Sequence, residues 1–152
     1  MRVLYCTRIF SGLEKSLIDN VWQPTGVPTI FKFLEKLKKN FELYVMFLSK
    51  DSSKNHKSIW NYAKNKQIKF NEFKNSIDVI SGKNYFSSKS KSSFIQILNE
   101  IRQFLLVFFK FLKIKPDVIY FDNSNILIAS LFSRFLKVKV ILRVMGVYPF
   151  MK

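Results

Sequence analysis

The stretch "IKPDVIYFDNSN", residues 114–125, gives the clearest indication of the fold. Its centre, residues 117–121, is a mostly apolar run with the length of a buried strand, and Pro116 stops any helix that comes before it. Four short polar side chains follow at residues 122–125. Side chains of this kind begin helices because they accept hydrogen bonds from the first free backbone N–H groups. The stretch therefore predicts a strand that turns directly into a helix, with Asn123 or Asn125 as the N-cap.

The same alternation of strands and helices extends over most of the chain. Strands are predicted at residues 3–6, 41–48, 117–121 and 139–144, with weaker candidates at 68–73 and 77–80. Helices are predicted at residues 29–40, 94–113 and 126–136, with a short one at 59–66, and residues 7–28 are predicted as a long polar loop. This order predicts an α/β fold: a Rossmann-like three-layer sandwich with a mostly parallel sheet, in one domain that covers residues 1–152.

Composition limits the classes of function. A chain of 152 residues has a formal net charge of +16, from 26 Lys and Arg against 10 Asp and Glu. Such an excess favours anionic partners, although a composition rich in Lys, Asn, Ile and Phe is also typical of an AT-rich genome. Cys6 is the only cysteine, which excludes an internal disulfide and a cysteine-based zinc site and fits a reducing cytoplasm. No His, Asp and Glu residues have metal-site spacing, so no metal is predicted.

Ligands of open parallel sheets bind outside the carboxyl ends of the strands. Asp122 and Asn123 follow one predicted strand, Arg143 and Gly146 stand at the end of another, and Gly12 lies in the loop after the first. These residues are the candidate ligand contacts. Each has a structural alternative: the polar pair caps a helix, Arg143 pairs with a carboxylate, and the glycines permit tight turns.

The helix at 94–113 allows two interpretations. Its apolar residues step by four and three positions and form one stripe, which consists of Phe94, Leu98, Ile101, Leu105, Phe108 and Leu112. Between residues 104 and 109 the helix is apolar all round. In one interpretation it meets a membrane surface through Phe104, Val107, Lys110 and Lys113. In the other it is buried between the sheet and a second layer.

Three short motifs occur in an order that resembles a known enzyme family. Gly26-Val27-Pro28 opens the first long helix, Pro116-Asp117-Val118-Ile119 follows the second, and Met145-Gly146 ends the last strand. This order resembles the N-terminal half of a GT-B glycosyltransferase of the large retaining family 4 (glycosyl transferase group 1 type). The likeness covers most of the chain.

The resemblance implies a function for a part of an enzyme. GT-B enzymes have two Rossmann-like domains that face a cleft, and the N-terminal domain mostly holds the acceptor. Gly12, Asp122, Asn123, Arg143 and Gly146 would then contact a glycan or lipid-linked acceptor in surface polysaccharide or lipopolysaccharide biosynthesis. The family often has His where this sequence has Met145, so the catalytic residues stay unassigned.

The resemblance also implies what the chain lacks. The C-terminal domain, which holds the nucleotide-sugar donor, is absent from this sequence. The chain would bind no cofactor, would be inactive without a missing domain or partner chain, and would work in the cytoplasm, with peripheral contact at the anionic inner face of the cell membrane. Two alternatives remain: a stand-alone Rossmann-like binding or regulatory subunit, and a basic nucleic-acid-binding module. The second has no RNP-type or helix-turn-helix motif to support it.

Overall fold

The computed structural model describes residues 1–10, 12–26, 28–48, 66–80, 93–122 and 125–144. These residues form one six-stranded sheet in the order β3-β4-β2-β1-β5-β6. The strands are β1 (Arg2–Arg8), β2 (Glu42–Leu48), β3 (Lys66–Ile68), β4 (Ile77–Ile80), β5 (Val118–Asp122) and β6 (Lys139–Arg143). The helices are α1 (Glu14–Asp19), α2 (Pro28–Asn40), α3 (Ser93–Ile114) and α4 (Ile126–Phe135). All neighbouring strands are parallel except β3, which runs antiparallel to β4.

The sheet has helices on both faces, as the predicted α/β Rossmann-like architecture requires. On one face, α1 and α2 cover a core that includes Val3, Tyr5 and Val45. On the other, α3 and α4 cover a core that includes Leu4 and Cys6. Strand β1 is buried from Val3 to Thr7 because it lies in the middle of the sheet and contacts both cores.

The chain builds the sheet outwards from β1 in two directions. It first adds β2 and β4 on one side, and then returns to place β5 on the other side of β1. The strand order therefore reverses between β1 and β5. In open α/β sheets this reversal leaves a crevice at the carboxyl ends of the two strands.

The predicted loop at residues 7–28 is not simply polar. It contains α1, and it buries Ile9, Phe10, Leu13, Leu17 and Trp22 in the core beneath α2. Leu13 and Leu17 lie four residues apart and share one side of this short helix. The Trp22 indole donates from Nε1 to Glu35 Oε1 at 3.0 Å, and this bond ties the segment to α2.

The predicted strand at 68–73 is also wrong in its bounds. Strand β3 ends at Ile68, and residues 69–73 form a turn in which the Phe73 amide donates to the Phe70 carbonyl at 3.1 Å. The turn contains the apolar residues Phe70 and Phe73 because both rings pack against Trp22. Their ring centroids lie 5.5 and 4.8 Å from the Trp22 ring. The predicted short helix at 59–66 lies outside the described residues except for Lys66, which begins β3.

Helix α3 forms where it was predicted, but it is rotated relative to the predicted stripe. Leu98, Ile101, Leu105 and Leu112 are between 44% and 50% exposed. Gln103, Val107 and Ile114 are buried against the sheet instead. The helix has apolar residues on opposite sides, so periodicity alone does not identify the side that packs.

This rotation corrects the predicted membrane contacts. Val107 is fully buried and cannot face a membrane in this structure. Phe104 is partly buried, and its ring packs edge-on against Phe132 with centroids 5.5 Å apart. Lys110 turns towards the sheet and forms an ion pair with Asp78 at 2.6 Å, whereas Lys113 is exposed.

Candidate functional site

The candidate site lies at the carboxyl ends of β1, β5 and β6. Register pairs Tyr5 with Tyr120 and Asp122 with Arg143, so the ends of these three strands lie side by side. Side chains two residues apart on a strand point to the same face, and register partners share a face. Tyr5 and Tyr120 therefore lie on the α2 side of the sheet, next to the crevice between β1 and β5.

Asp122 is the central polar residue of this edge, and it is only 4% exposed. Its Oδ2 accepts hydrogen bonds from Thr7 Oγ1 at 2.9 Å and from the Arg8 amide at 3.1 Å. Its Oδ1 accepts from Asn125 Nδ2 at 2.8 Å. These hydrogen bonds to one buried carboxylate fix β1, β5 and the start of α4 relative to one another. Asp122 thus positions the crevice and is itself largely covered by protein.

Asn125 begins α4 without capping it through its side chain. The residue occupies the N-cap position, but its side chain makes no cap hydrogen bond and donates to Asp122 instead. Of the two predicted caps, Asn123 or Asn125, Asn125 therefore has the predicted position but not the predicted side-chain bond. A buried carboxylate needs donors, and the amide at this position satisfies that need. Asn123, the other predicted cap and ligand contact, lies outside the described residues.

Arg143 projects from β6 towards the start of α2. Its Nη1 donates to the Thr29 carbonyl oxygen at 3.3 Å, and its guanidinium also lies close to the Tyr5 and Tyr120 hydroxyls. The predicted alternative was a pairing with a carboxylate. Among the described residues, the contacts of Arg143 are to a carbonyl and to phenol hydroxyls, and no ion pair to a carboxylate is formed. The guanidinium is half-buried at the crevice.

An aromatic cluster forms the floor beneath Arg143. Tyr5 and Tyr120 stack with ring centroids 4.7 Å apart, and Phe33 of α2 packs at 6.0 and 5.2 Å from them. Burial raises the pKa of both tyrosines, and the nearby Arg143 opposes this shift only in part. Both hydroxyls therefore stay protonated at neutral pH and can donate hydrogen bonds. Tyr5 is fully buried, whereas Tyr120 is half-buried.

Gly12 shapes the loop that leaves β1. It has a φ of +87°, and a Cβ at this position would lie 2.1 Å from the Gly26 backbone nitrogen. The Thr25 amide donates to the Gly12 carbonyl at 3.0 Å, so the two halves of the segment touch here. Only glycine fits this combination of positive φ and close approach. The structure thus gives Gly12 a backbone role. Its contact, Gly26, lies two residues before Pro28, where α2 begins.

The structure brings together some predicted site residues and adds others. Asp122 and Arg143 share one edge, while Gly146 lies outside the described residues. Tyr120, Tyr5 and Thr29 were missed as neighbours of Arg143. The signal that could have identified the tyrosines is their matching position, two residues before the polar residues Thr7 and Asp122 at the ends of two strands that become neighbours.

A second cleft opens at the opposite edge of the sheet. It has a volume of about 530 Å³ and is lined by residues that include Arg2, Tyr44, Lys110 and Lys113. Two of its cations have protein partners, because Arg2 donates to the Ile114 carbonyl at 2.8 Å and Lys110 pairs with Asp78. This cleft is at the amino-terminal ends of the strands and does not belong to the candidate site.

Neither a metal centre nor a membrane span is found in the part of the chain that the structure describes. No group of three His, Cys, Asp or Glu residues there could hold a metal ion. Within the same residues, no helix has the length and the apolar character needed to cross a bilayer.

Comparisons with known proteins identify the class of fold. No protein-family model matches the chain, and no curated protein matches it. Among solved structures it is similar to one from E. coli described as trehalose-6-phosphate bound with UDP-2-fluoro glucose, with a TM-score of 0.50 and 12% sequence identity. That protein is trehalose-6-phosphate synthase, a GT-B glycosyltransferase.

The match covers 93% of this chain and 32% of the other chain, so the chain spans about a third of the length of that enzyme. At this level of identity the likeness shows the fold alone. The chain has an α/β, Rossmann-like, GT-B glycosyltransferase-like fold.

Proposed function

We propose that this chain is the N-terminal, acceptor-binding domain of a family 4-type GT-B glycosyltransferase. The observation that carries the proposal is the crevice between β1 and β5, where strand order reverses and Asp122 fixes both strand ends. Ligands of open α/β folds bind at such a reversal. The glycosyltransferase-like fold supplies the reaction class: transfer of a sugar from a nucleotide-sugar donor to an acceptor hydroxyl.

The residues of the crevice suit an acceptor that carries an anionic group. Arg143 offers a guanidinium, which binds phosphate and carboxylate groups through paired hydrogen bonds. The half-buried Tyr120 offers a hydroxyl donor and an aromatic ring beside it. In the proposal, Asp122 positions these strands and Gly12 shapes the wall, while Asn123 and Gly146, which lie outside the described residues, stay predicted acceptor contacts. The acceptor is a glycan or a lipid-linked sugar in surface polysaccharide or lipopolysaccharide biosynthesis.

The donor belongs to a second domain in this proposal. The nucleotide sugar would bind to a C-terminal domain or partner chain, and this chain alone would not catalyse transfer. The enzyme would act in the cytoplasm, at the inner face of the cell membrane. Turnover of any nucleotide sugar by the 152-residue chain alone would contradict the assignment of the donor site to a second domain or partner chain.

The direct test is a binding experiment with the 152-residue chain. We expect an oligosaccharide linked to a short-chain polyprenyl diphosphate to bind and to shift the NMR signals of Tyr120 and Arg143, while UDP-glucose binds no more than weakly. Arg143→Gln should weaken acceptor binding by at least about tenfold, because it removes a charge-assisted contact. The matched control is Lys139→Gln, which removes one charge from the other end of β6 and should leave binding unchanged. Equal losses in both variants would assign the effect to net charge and contradict the site.

A further inference from the structure

The side of α3 that faces away from the sheet is almost entirely apolar. Among the residues of this helix whose side chains are described, six apolar ones are exposed, and we call them the outer stripe: Ile97, Leu98, Ile101, Leu105, Phe109 and Leu112. Ile97 is 55% exposed and Phe109 is 63% exposed. Lys113 is the only other exposed residue of α3 among those whose side chains are described. With a rise of 1.5 Å per residue, the stripe is about 22 Å long.

Helix α4 continues this apolar surface. It packs on the same face of the sheet as α3, and the Phe104 and Phe111 rings of α3 contact Phe132 of α4. Because both helices bury one side on the sheet, their free sides point the same way. The free side of α4 exposes Leu127, Leu131 and Phe135. Two neighbouring helices therefore present one apolar surface, which is larger than the scattered apolar residues normal for a protein surface.

A basic rim borders this surface at one end. Helices α3 and α4 both end at the amino-terminal edge of the sheet, close to the starts of β5 and β6. Five exposed basic residues lie there: Lys113, Lys115, Arg134, Lys137 and Lys139. Asp117 is the one exposed acidic residue in the described part of residues 93–144, and it already accepts a hydrogen bond from the Arg2 amide at 2.6 Å.

We propose that the outer stripe lies on the surface of a membrane that contains anionic lipids. Apolar side chains on one plane can enter the headgroup–acyl boundary, and adjacent lysines and arginines are attracted to acidic headgroups. The charge of the chain favours this occupant over a second copy of itself, because two copies of net charge +16 repel each other. The contact is interfacial, since no helix in the described residues could span a bilayer.

This surface differs from the membrane contacts that the sequence predicted. Phe104, Val107 and Lys110 lie on the sheet side of α3, and Lys113 alone belongs to both sets. The inference does not rest on the acceptor site. The outer stripe and the basic rim would bind lipid whether or not Arg143 binds a sugar acceptor.

Sedimentation of the 152-residue chain with lipid vesicles tests the proposal. We expect binding to vesicles of phosphatidylcholine with phosphatidylglycerol, weaker binding to phosphatidylcholine alone, and weaker binding at high salt. The double variant Leu105→Gln/Phe109→Gln should bind anionic vesicles at least about tenfold more weakly, because two apolar side chains no longer enter the bilayer. The matched control is Ile18→Gln, which changes a 66% exposed residue of α1 on the opposite face of the sheet and should bind like the unchanged chain.

A charge reversal tests the basic rim separately. Lys113→Glu should weaken vesicle binding by about fivefold or more, whereas Lys39→Glu, on α2, alters net charge equally and should have little effect.

Light scattering tests the alternative that the outer stripe binds a second copy of the chain. A dimer that the Leu105→Gln/Phe109→Gln variant dissociates, together with no binding to anionic vesicles, would assign the outer stripe to a second copy and overturn the proposal. Equal vesicle binding by this variant and the unchanged chain would overturn it as well.

Discussion

Helices α2 and α3 pack on opposite faces of the same sheet, and their solvent sides differ in kind. On α2, Ile30 and Leu34 are buried, and the exposed positions include Lys32, Lys36 and Lys39. On α3, both the sheet side and the outer stripe are apolar. Helix α2 is thus an ordinary amphipathic surface helix, while α3 has a second apolar side for which the described residues provide no cover.

This difference separates two roles that apolar residues have in the same fold. The sheet side of each helix contributes to folding stability, because its residues leave water when the chain folds. The outer stripe stays in contact with water in the isolated chain and contributes little to stability. Burial on the sheet therefore does not explain the apolar character at these positions, and stability measurements can distinguish the two sides.

The largest expected effect comes from comparing two phenylalanines of α4. Phe132 is fully buried and contacts the rings of Phe104, Phe111 and Phe121, whereas Phe135, three residues on, is 71% exposed. Phe132→Ala should lower the free energy of unfolding by about 3–5 kcal/mol. Phe135→Ala should change it by less than about 0.5 kcal/mol. Urea denaturation measures both, and a large loss in Phe135→Ala would show that the outer side of α4 is buried in solution.

The orientation of α3 shows where sequence-based prediction stops. Its bounds follow from the long apolar pattern and from Pro116, and the structure confirms a helix at Ser93–Ile114. The buried side could not be predicted, because the regular spacing of Leu98, Ile101, Leu105 and Leu112 marks the outer stripe and not the core. Gln103 is buried, although a polar residue on a predicted helix normally indicates the solvent side.

An intermediate effect on the free energy of unfolding should distinguish the two ends of β5. Asp122 at the carboxyl end accepts three hydrogen bonds in a buried position, while Asp117, before the other end, accepts one from the Arg2 amide in an exposed position. Asp122→Ala should cost about 2–4 kcal/mol, because it leaves buried donors on Thr7, Arg8 and Asn125 without this acceptor. Asp117→Ala should cost less than about 1 kcal/mol. Similar losses in thermal or urea unfolding would mean that Asp122 does not join the strands as described.

The sequence was sufficient to predict where in the sheet the candidate site lies, but not which side chains contact one another there. A polar cluster after an apolar strand, in a parallel sheet, correctly predicted that Asp122 and Arg143 lie at one edge. The partner of Asp122 was not predictable from local pattern, because Thr7 is 115 residues away in sequence. That contact depends on β5 pairing with β1 at the strand-order reversal. The same long-range pairing places Tyr5 beside Tyr120 and provides the floor beneath Arg143.

The smallest expected effect concerns Tyr5, whose side chain points into the α2 core while that of Cys6 points into the α3 core. Burial raises the pKa of Tyr5 above its ordinary value of 10.0, so the folded state retains a proton that the unfolded state loses at alkaline pH. The resulting stability is complete below pH 10 and declines as pH rises further, because the unfolded state then binds fewer protons.

Urea unfolding of the unchanged chain should therefore show this decline, at up to about 1.4 kcal/mol per pH unit from this residue above pH 10. Tyr5→Phe should remove that part of the slope. Tyr44→Phe is the control: a hydrogen bond to Glu42 is the main cause that raises the Tyr44 pKa, and burial contributes less, so this variant should change the slope less. Equal slopes in the Tyr5→Phe variant and the unchanged chain would show that water reaches the Tyr5 hydroxyl. The α2 face of β1 would then be hydrated, contrary to the buried position that the structure gives Tyr5.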